Sequence, residues 1–454
     1  MYLLFFVVKH YDRTEYNLNN MQSYAEKICE IGDVPGMSVA IWNEGEESYI
    51  NVGNANAQEL MTNETLCELG STTKAFTAVG IILLEQDGLL NRNDTVSQYL
   101  PWFQPTYRDK KVEISIEQLL CHTGGIPSWT IAKIPQGTAA EENLLENTVK
   151  TVQNIELVNK PGVRQHYATI NYDVLALIIE KVSGMKYETY IEENILQPLG
   201  MYESYFGVND VPNESVAQGY RYAFLDASPY KAPTYYGNTA SGYLVSNTSE
   251  LMVWLKAQNG VFDMLKTDKV HRVANAIEAV KGYEDTRVLP YFAGWNFHGS
   301  YISHSGNNPN YSSQVIVATE DERAVCALAN INGTATTKAA EGIYRMLQGE
   351  TVRIGFWIDG TQLLDFFCVV IVIFELLIAI HILQKDRKQL VYYSFAGLGA
   401  TLACLVILLM PYLLHYNYKT IAVWCTPSLL VAMLGAVVCF VLEGYIAKMK
   451  YIRI

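Results

Sequence analysis

The residue pattern predicts an α+β globular domain, an antiparallel sheet with a helical part, followed by three transmembrane α-helices. Two observations carry this. Strand patterns stand at both ends of the stretch up to Gly349, with helical patterns between them. From Leu363 on, charges almost vanish over long apolar runs. A chain of 454 residues holds one large domain plus an appendage.

The elements follow in order. Met1–Val8 is apolar but short, with no basic residue before it, so residues 1–19 read as a leader or the remnant of a signal segment. Asn20–Ile31 has helical spacing. Gly36–Trp42 and Ser48–Gly53 read as a hairpin around the turn signal Asn43-Glu-Gly-Glu. Thr72–Gln86 is a strong helical pattern, and Ile170–Ser183 is another, ended by Gly184. Asn247–Gln258 is opened by Asn247 with Glu250 three residues on, as in a capping box. Tyr301–Ser303, Ser312–Ala318 and Ala324–Asn330 read as strands. The globular domain is thus expected over 20–350, a linker over 351–361 and the membrane region over 362–454.

Within that region the expected spans are Leu363–Leu383, Val391–Leu413 and Thr420–Leu442. Each has about 20 residues, and at about 1.5 Å per residue this crosses a hydrocarbon core of about 30 Å. Lys385, Arg387 and Lys388 lie in the first connection, and Lys448, Lys450 and Arg453 follow the third span. Positive residues mark the cytoplasmic side, which puts the globular domain on the extracytoplasmic face of a multi-pass cytoplasmic-membrane protein. Glu375 falls inside the first span. Its expected state is a protonated carboxyl bonded to Thr401 or Ser428.

The formal net charge is -13. Seven basic and four acidic residues lie beyond residue 361, so the tail is net +3 and the rest -16. So acidic a domain excludes nucleic acid as a partner. No Cys pair has CxxC or metal-ligand spacing, so no metal and no cofactor is expected. Cys29, Cys67, Cys121 and Cys326 are expected as free buried thiols.

Chemistry enters at Gly70-Ser71-Thr-Thr-Lys74. Ser and Lys three apart share one helix face. A serine in the first turn faces the positive end of the helix dipole, which favours a developing alkoxide. A neighbouring amine can take the serine proton when burial or another positive charge disfavours its charged form. Two further segments accompany it. Pro161-Gly-Val-Arg-Gln-His-Tyr167-Ala-Thr-Ile-Asn-Tyr172 leads into the helix ending at Gly184, and His304-Ser-Gly-Asn307-Asn-Pro-Asn-Tyr-Ser312 lies between two strand patterns.

Together with Val34-Pro-Gly-Met-Ser-Val-Ala-Ile41, Gln118-Leu-Leu-Cys-His-Thr-Gly-Gly-Ile-Pro127, Ser241-Gly-Tyr-Leu-Val-Ser246 and Ala293-Gly-Trp295, these motifs are similar to those of the serine β-lactamase and penicillin-binding protein superfamily. The chain resembles in particular its class C-like branch of peptidases and esterases, over about Met21 to Leu347. The resemblance implies a β-lactamase/transpeptidase-like fold and an acyl-enzyme hydrolase. It makes Ser71 the nucleophile, Lys74 the group that holds and relays its proton, and Tyr167 the base or proton carrier beside Lys74. His304-Ser305-Gly306 matches the family's Lys-Thr-Gly or His-x-Gly strand. The N–H groups of Ser71 and Asn307 would form an oxyanion hole.

One position departs from the pattern. Counted back from Glu180, the Asn of Tyr-x-Asn falls on Thr169, whose hydroxyl can bond a substrate carbonyl or Lys74 but lacks the paired donor and acceptor of a carboxamide. His304 in the Lys place implies carboxylate binding that is weaker and pH-dependent.

A class C-like domain followed by three transmembrane helices is similar to the peptidases that remove an N-acyl-D-asparagine leader in nonribosomal-peptide pathways. Asn307 or Asn308 would then contact a side-chain amide. The leading expectation is a peptidase cutting an amide next to a D-amino acid. Alternatives are a cell-wall D-alanyl peptidase, an esterase, a weak β-lactamase, or a penicillin-sensing membrane receptor. The partners expected are a peptide-like or acyl small-molecule substrate and membrane lipid, with a homo-oligomer or an exporter partner left open.

Overall fold

A computed structural model describes residues 8–138, 141–209, 211, 216–259, 277–278, 291–384, 409, 412 and 416–451. The chain forms two compact units, one of residues up to Tyr220 plus Tyr230–Trp357, the other of Arg221–Pro229 plus residues from Ile358.

The first unit is built on a seven-stranded antiparallel sheet. Its strands are β1 (Gly36–Asn43), β2 (Glu46–Gly53), β3 (Tyr291–Phe292), β4 (Trp295–Phe297), β5 (Tyr301–Asn308), β6 (Tyr311–Ala318) and β7 (Arg323–Ala329). The spatial order is β3-β4-β5-β6-β7-β1-β2, so strands from both ends of the domain meet at the β7–β1 pair. The hairpin turns at Glu44 and Gly45, both at positive φ, as a tight two-residue loop requires.

Helix α1 (Met21–Gly32) and α5 (Ala335–Leu347) pack together, and α5 lies on β6 and β7. Helices α2 (Lys74–Gln86) and α3 (Ile170–Ser183) form the helical side. Both are apolar nearly all round, and Lys74 through Leu84 are all buried, as befits core helices. Gly184 ends α3 in the left-handed conformation and donates to the Glu180 carbonyl. Helix α4 (Thr248–Asn259) is capped by Asn247 Oδ1 accepting from Glu250 N at 2.9 Å. The Glu250 carboxylate does not return to the cap. It accepts from Glu203 N and Ser204 Oγ.

The segment read as a leader is folded from residue 8 on. Tyr11–Asp12 pairs antiparallel with Gly355–Phe356, and Tyr16 exchanges backbone hydrogen bonds with Val352. His10 and Tyr16 are buried. The expected linker therefore supplies a strand partner. The four domain cysteines are buried and free.

In the second unit, α6 (Gly360–Gln384) contains the first expected span, and its 21 residues Gly360–Ile380 are long and apolar enough to cross a membrane. The second expected span lies almost wholly outside the described residues. The third is not one helix. It divides into α7 (Tyr418–Trp424) and α8 (Pro427–Tyr451). Pro427 has no N–H and disfavours helical geometry at Thr426, so the break falls before it and Pro427 opens the new helix.

Helices α6 and α8 pack together. Glu375 reaches Gly435, where any side chain would collide with its Oε2. Of the two partners expected for Glu375, Thr401 lies outside the described residues and Ser428 does not bond it. With Thr426, Ser428 donates to the buried Asp365 carboxylate. That carboxylate also accepts from the backbone N–H groups of Phe224 (3.1 Å) and Leu225 (2.6 Å). Both residues have positive φ at the tip of the hairpin Tyr220–Ala223 and Asp226–Pro229.

Candidate active site

Ser71 lies in a 3-10 turn, Gly70–Thr73, that runs directly into α2. The turn is pressed against β5. A Cβ on Gly70, at φ +57°, would sit 2.5 Å from Asn307 N, and one on Gly306 would sit 1.9 Å from the Leu69 carbonyl oxygen. Only glycine permits this approach at both positions. Thr72 Oγ1 and Ser313 Oγ both donate to the Leu69 carbonyl, at 2.8 and 2.6 Å, and tie the turn to β6.

Lys74, three residues after Ser71, opens α2 and is fully buried. Its Nζ donates to Ser71 Oγ at 3.0 Å, Thr169 Oγ1 at 3.1 Å and the Ser241 carbonyl at 2.6 Å. Three polar partners thus surround the Lys74 nitrogen. Tyr167 enters on the segment before α3, and its hydroxyl donates to Ser71 Oγ at 3.0 Å. Lys74 Nζ also stands 5.3 Å from the Tyr167 ring centre and 5.8 Å from that of Tyr172. Ser71, Lys74, Tyr167 and Thr169 are thus brought to one point.

Behind them lies a buried polar layer, in which Ser241, His122 and Asn171 fall inside sequence motifs without an assigned role and Asp173 lies just beyond one. The Ser241 hydroxyl lies 2.7 Å from Asp173 Oδ1 and 2.8 Å from the Thr169 carbonyl. Burial pushes Asp173 up to about 7, with the Ser241 hydroxyl and Lys74 holding it back. His122 is buried beside Tyr167, its ring centre 4.1 Å away, with Nδ1 2.9 Å from Asn171 Nδ2. Burial, and then Lys74, hold this imidazole well below the ordinary range, so it is neutral.

The β5 residues divide by strand alternation. Ser305 and Asn307 are exposed, whereas His304, Gly306 and Asn308 are buried. Asn308 is unavailable to a substrate, because its Nδ2 bonds Glu68 Oε2 at 2.5 Å and the Gly242 carbonyl at 2.8 Å. His304 corrects the expectation of a titratable charge. Its Nδ1 lies 2.6 Å from the Ser305 carbonyl and its Nε2 3.3 Å from the Tyr291 hydroxyl. Burial and the nearby Lys74 push it down to about 3, so at neutral pH it carries no charge for a carboxylate. The cleft above Ser71 has a volume of about 340 Å³, and Gln165, Tyr167, Tyr291, Asn296, His304, Ser305 and Asn307 complete its lining. Sequence reading misses Gln165, Tyr291 and Asn296. Gln165 stands two residues before Tyr167, where an extended chain returns to the same side, and that spacing is the signal for it.

Residues 22–350 match the Beta-lactamase family. The chain belongs to that family. Protein flp of Staphylococcus aureus (strain MW2) is 27% identical over 448 residues, covering 92% of this chain and 89% of that one. Among solved structures, the octameric penicillin-binding protein homologue of Pyrococcus abyssi is 29% identical, with a TM-score of 0.62 over 74% of this chain and 78% of that one. A class C beta-lactamase, 19% identical, has a TM-score of 0.60 over 73% and 95% and shows the shared fold. The chain is therefore a hydrolase of the serine β-lactamase and penicillin-binding protein superfamily.

Proposed function

We propose that this chain is a membrane-anchored serine hydrolase that works through a Ser71 acyl-enzyme and cuts an amide next to a D-amino acid on the outer face of the membrane. The observation that carries the reading is the double hydrogen bond on Ser71 Oγ, from the buried Lys74 amine and from the Tyr167 hydroxyl, both at 3.0 Å.

In the attack one member of the Lys74–Tyr167 pair stands deprotonated; Ser71 Oγ forms a bond to the scissile carbonyl carbon and its proton passes to that member. The carbonyl electron pair moves onto oxygen, which accepts from the N–H groups of Ser71 and Asn307. The tetrahedral intermediate collapses by breaking the C–N bond, and the same pair returns the proton to the leaving nitrogen. Water then attacks the ester, loses a proton to the pair, and Ser71 recovers its hydrogen as the acid leaves. Thr169 holds Lys74 in register, and Ser305 and Asn307 face the substrate.

Membrane anchoring rests on α6 and on the apolar runs that follow it. The match to Protein flp covers more of this chain than residues 22–350 supply, so the tail shares in that likeness. The orientation rests on the Lys and Arg residues of the first connection and the C-terminus.

The test is product release, read by mass spectrometry, from the detergent-purified protein and its Ser71→Ala variant. Two substrates are offered, an N-acyl-D-asparaginyl amide and an acyl-D-alanyl-D-alanine peptide. Ser71-dependent cleavage of the first supports removal of an N-acyl-D-amino-acid leader. Cleavage of the second alone makes the protein a cell-wall peptidase. Turnover that survives Ser71→Ala overturns the acyl-enzyme reading.

A further inference from the structure

The cleft beside Ser71 is polar but, among the described residues, uncharged. Its lining offers three carboxamides (Gln165, Asn296 and Asn307), the Ser305 hydroxyl and two phenols, with no Lys, Arg, Asp or Glu. Lys74 is buried with its Nζ committed to Ser71, Thr169 and Ser241. His304 contributes a buried imidazole whose two nitrogens face the Ser305 carbonyl and the Tyr291 hydroxyl. Its depressed proton affinity agrees with that neutral form.

Three of the lining side chains are idle. Among the described residues, those of Gln165, Ser305 and Asn307 make no hydrogen bond. Groups of this kind match donors and acceptors of peptide units, one amide at a time. A carboxylate in the same place would exchange water for neutral donors only, and an ion moved from water without a counter-charge loses free energy. The surrounding field is adverse as well, since residues up to 361 carry net -16.

We propose that this cleft selects substrates whose scissile bond is flanked on the leaving-group side by an uncharged amide, a continuing or C-terminally blocked chain, over substrates that end there in a free carboxylate. This rests on the Ser71 acyl-enzyme reading and deepens it.

The test uses full-length protein in detergent and one acyl group carried on two leaving groups, 3-hydroxybenzamide and 3-hydroxybenzoate. Each kcat/KM is divided by the hydroxide-catalysed rate of the same ester, which removes the difference in leaving-group reactivity. The amide-bearing ester is expected to be preferred at least about tenfold, an unpaired charge being the difference. The preference should be unchanged between pH 6 and 8, because neither the imidazole nor the benzoate titrates there. Equal rates, or a preference for the benzoate, overturn the proposal. A preference for the benzamide that collapses toward pH 6 overturns it too, since it would reveal a titrating cation in the cleft. If neither ester is turned over in a Ser71-dependent way, the acyl-enzyme reading fails and the proposal falls with it. As a second variant, Ser305→Lys places an ammonium in the cleft. It should cut the preference by about tenfold or reverse it, and an unchanged ratio in a folded, turning-over Ser305→Lys protein also overturns the proposal.

Discussion

Replacing Tyr167 by Phe removes one atom from the centre of the site. The lost hydroxyl donates to Ser71 Oγ at 3.0 Å, and the ring that remains keeps its packing against His122, 4.1 Å between centres. Tyr167 is 38% exposed, so the change opens no sealed cavity. Ser71 Oγ retains its bond from Lys74. Stability should move by no more than about 1 kcal/mol. Rate should not be spared. A positioned proton carrier is worth roughly 10²–10⁴-fold, or about 3–5 kcal/mol of transition-state free energy. The assay is the rate of Ser71 acylation by an activated ester in stopped flow, with thermal unfolding measured on the same preparation. Acylation slowed by about 10²-fold or more at nearly constant Tm fits the proton path through Tyr167. Acylation within about threefold of wild type would refute it and leave Lys74 as the sole proton acceptor.

Other consequences follow from the same geometry. Gly306→Ala would drive a Cβ to 1.9 Å from the Leu69 carbonyl. It should cost roughly 2–3 kcal/mol and abolish acylation, and a variant with normal Tm and normal burst would contradict the close packing of turn and strand. Burial raises Asp173 from 3.8, and Glu68 from 4.5, to about 7 in each case. Both therefore bind protons more readily folded than unfolded, and the stability they contribute is complete below about pH 4 and lost as pH rises to about 7, by at most roughly 4 kcal/mol each. Asp173→Asn should flatten the fall of Tm between pH 5 and 7.5, and an unaltered slope would contradict the assignment. Asp365→Ala removes the acceptor for Phe224 and Leu225, whose positive φ values cost about 1–2 kcal/mol each. Chymotrypsin should then cut at this hairpin tip at least about tenfold faster, and an unchanged rate would show that the carboxylate does not hold the turn.

Much of the architecture is legible where one periodicity acts alone. Helix α3 occupies the residues its pattern marks and stops at Gly184 because glycine takes the left-handed cap. The β1–β2 hairpin is equally plain. Strand β5 runs five residues beyond the expected Ser303, since its inner positions are His304, Gly306 and Asn308 rather than apolar residues. Ser71 and Lys74 stand out because their chemistry is tied to a short spacing, and Tyr167 through the resemblance of its segment to the family's motif. Tyr291, Asn296 and Asp173 reach the same place only through sheet order and helix packing, which no local window contains. His304 shows the limit most clearly. Its identity suggests a titratable group, and only its burial beside Lys74 removes the charge. Residues 8–19 mislead for the opposite reason, as their strand partner, Gly355–Phe356, is more than three hundred residues away in the chain.

The most direct test of the account is intact-protein mass spectrometry after a brief exposure to a fluorophosphonate or an activated ester, followed by peptide mapping. A single adduct is expected, on Ser71, that is absent from Ser71→Ala and forms far more slowly in Lys74→Met. Labelling that maps elsewhere, or a folded protein that stays unlabelled at Ser71 under conditions that label other serine hydrolases, would contradict it.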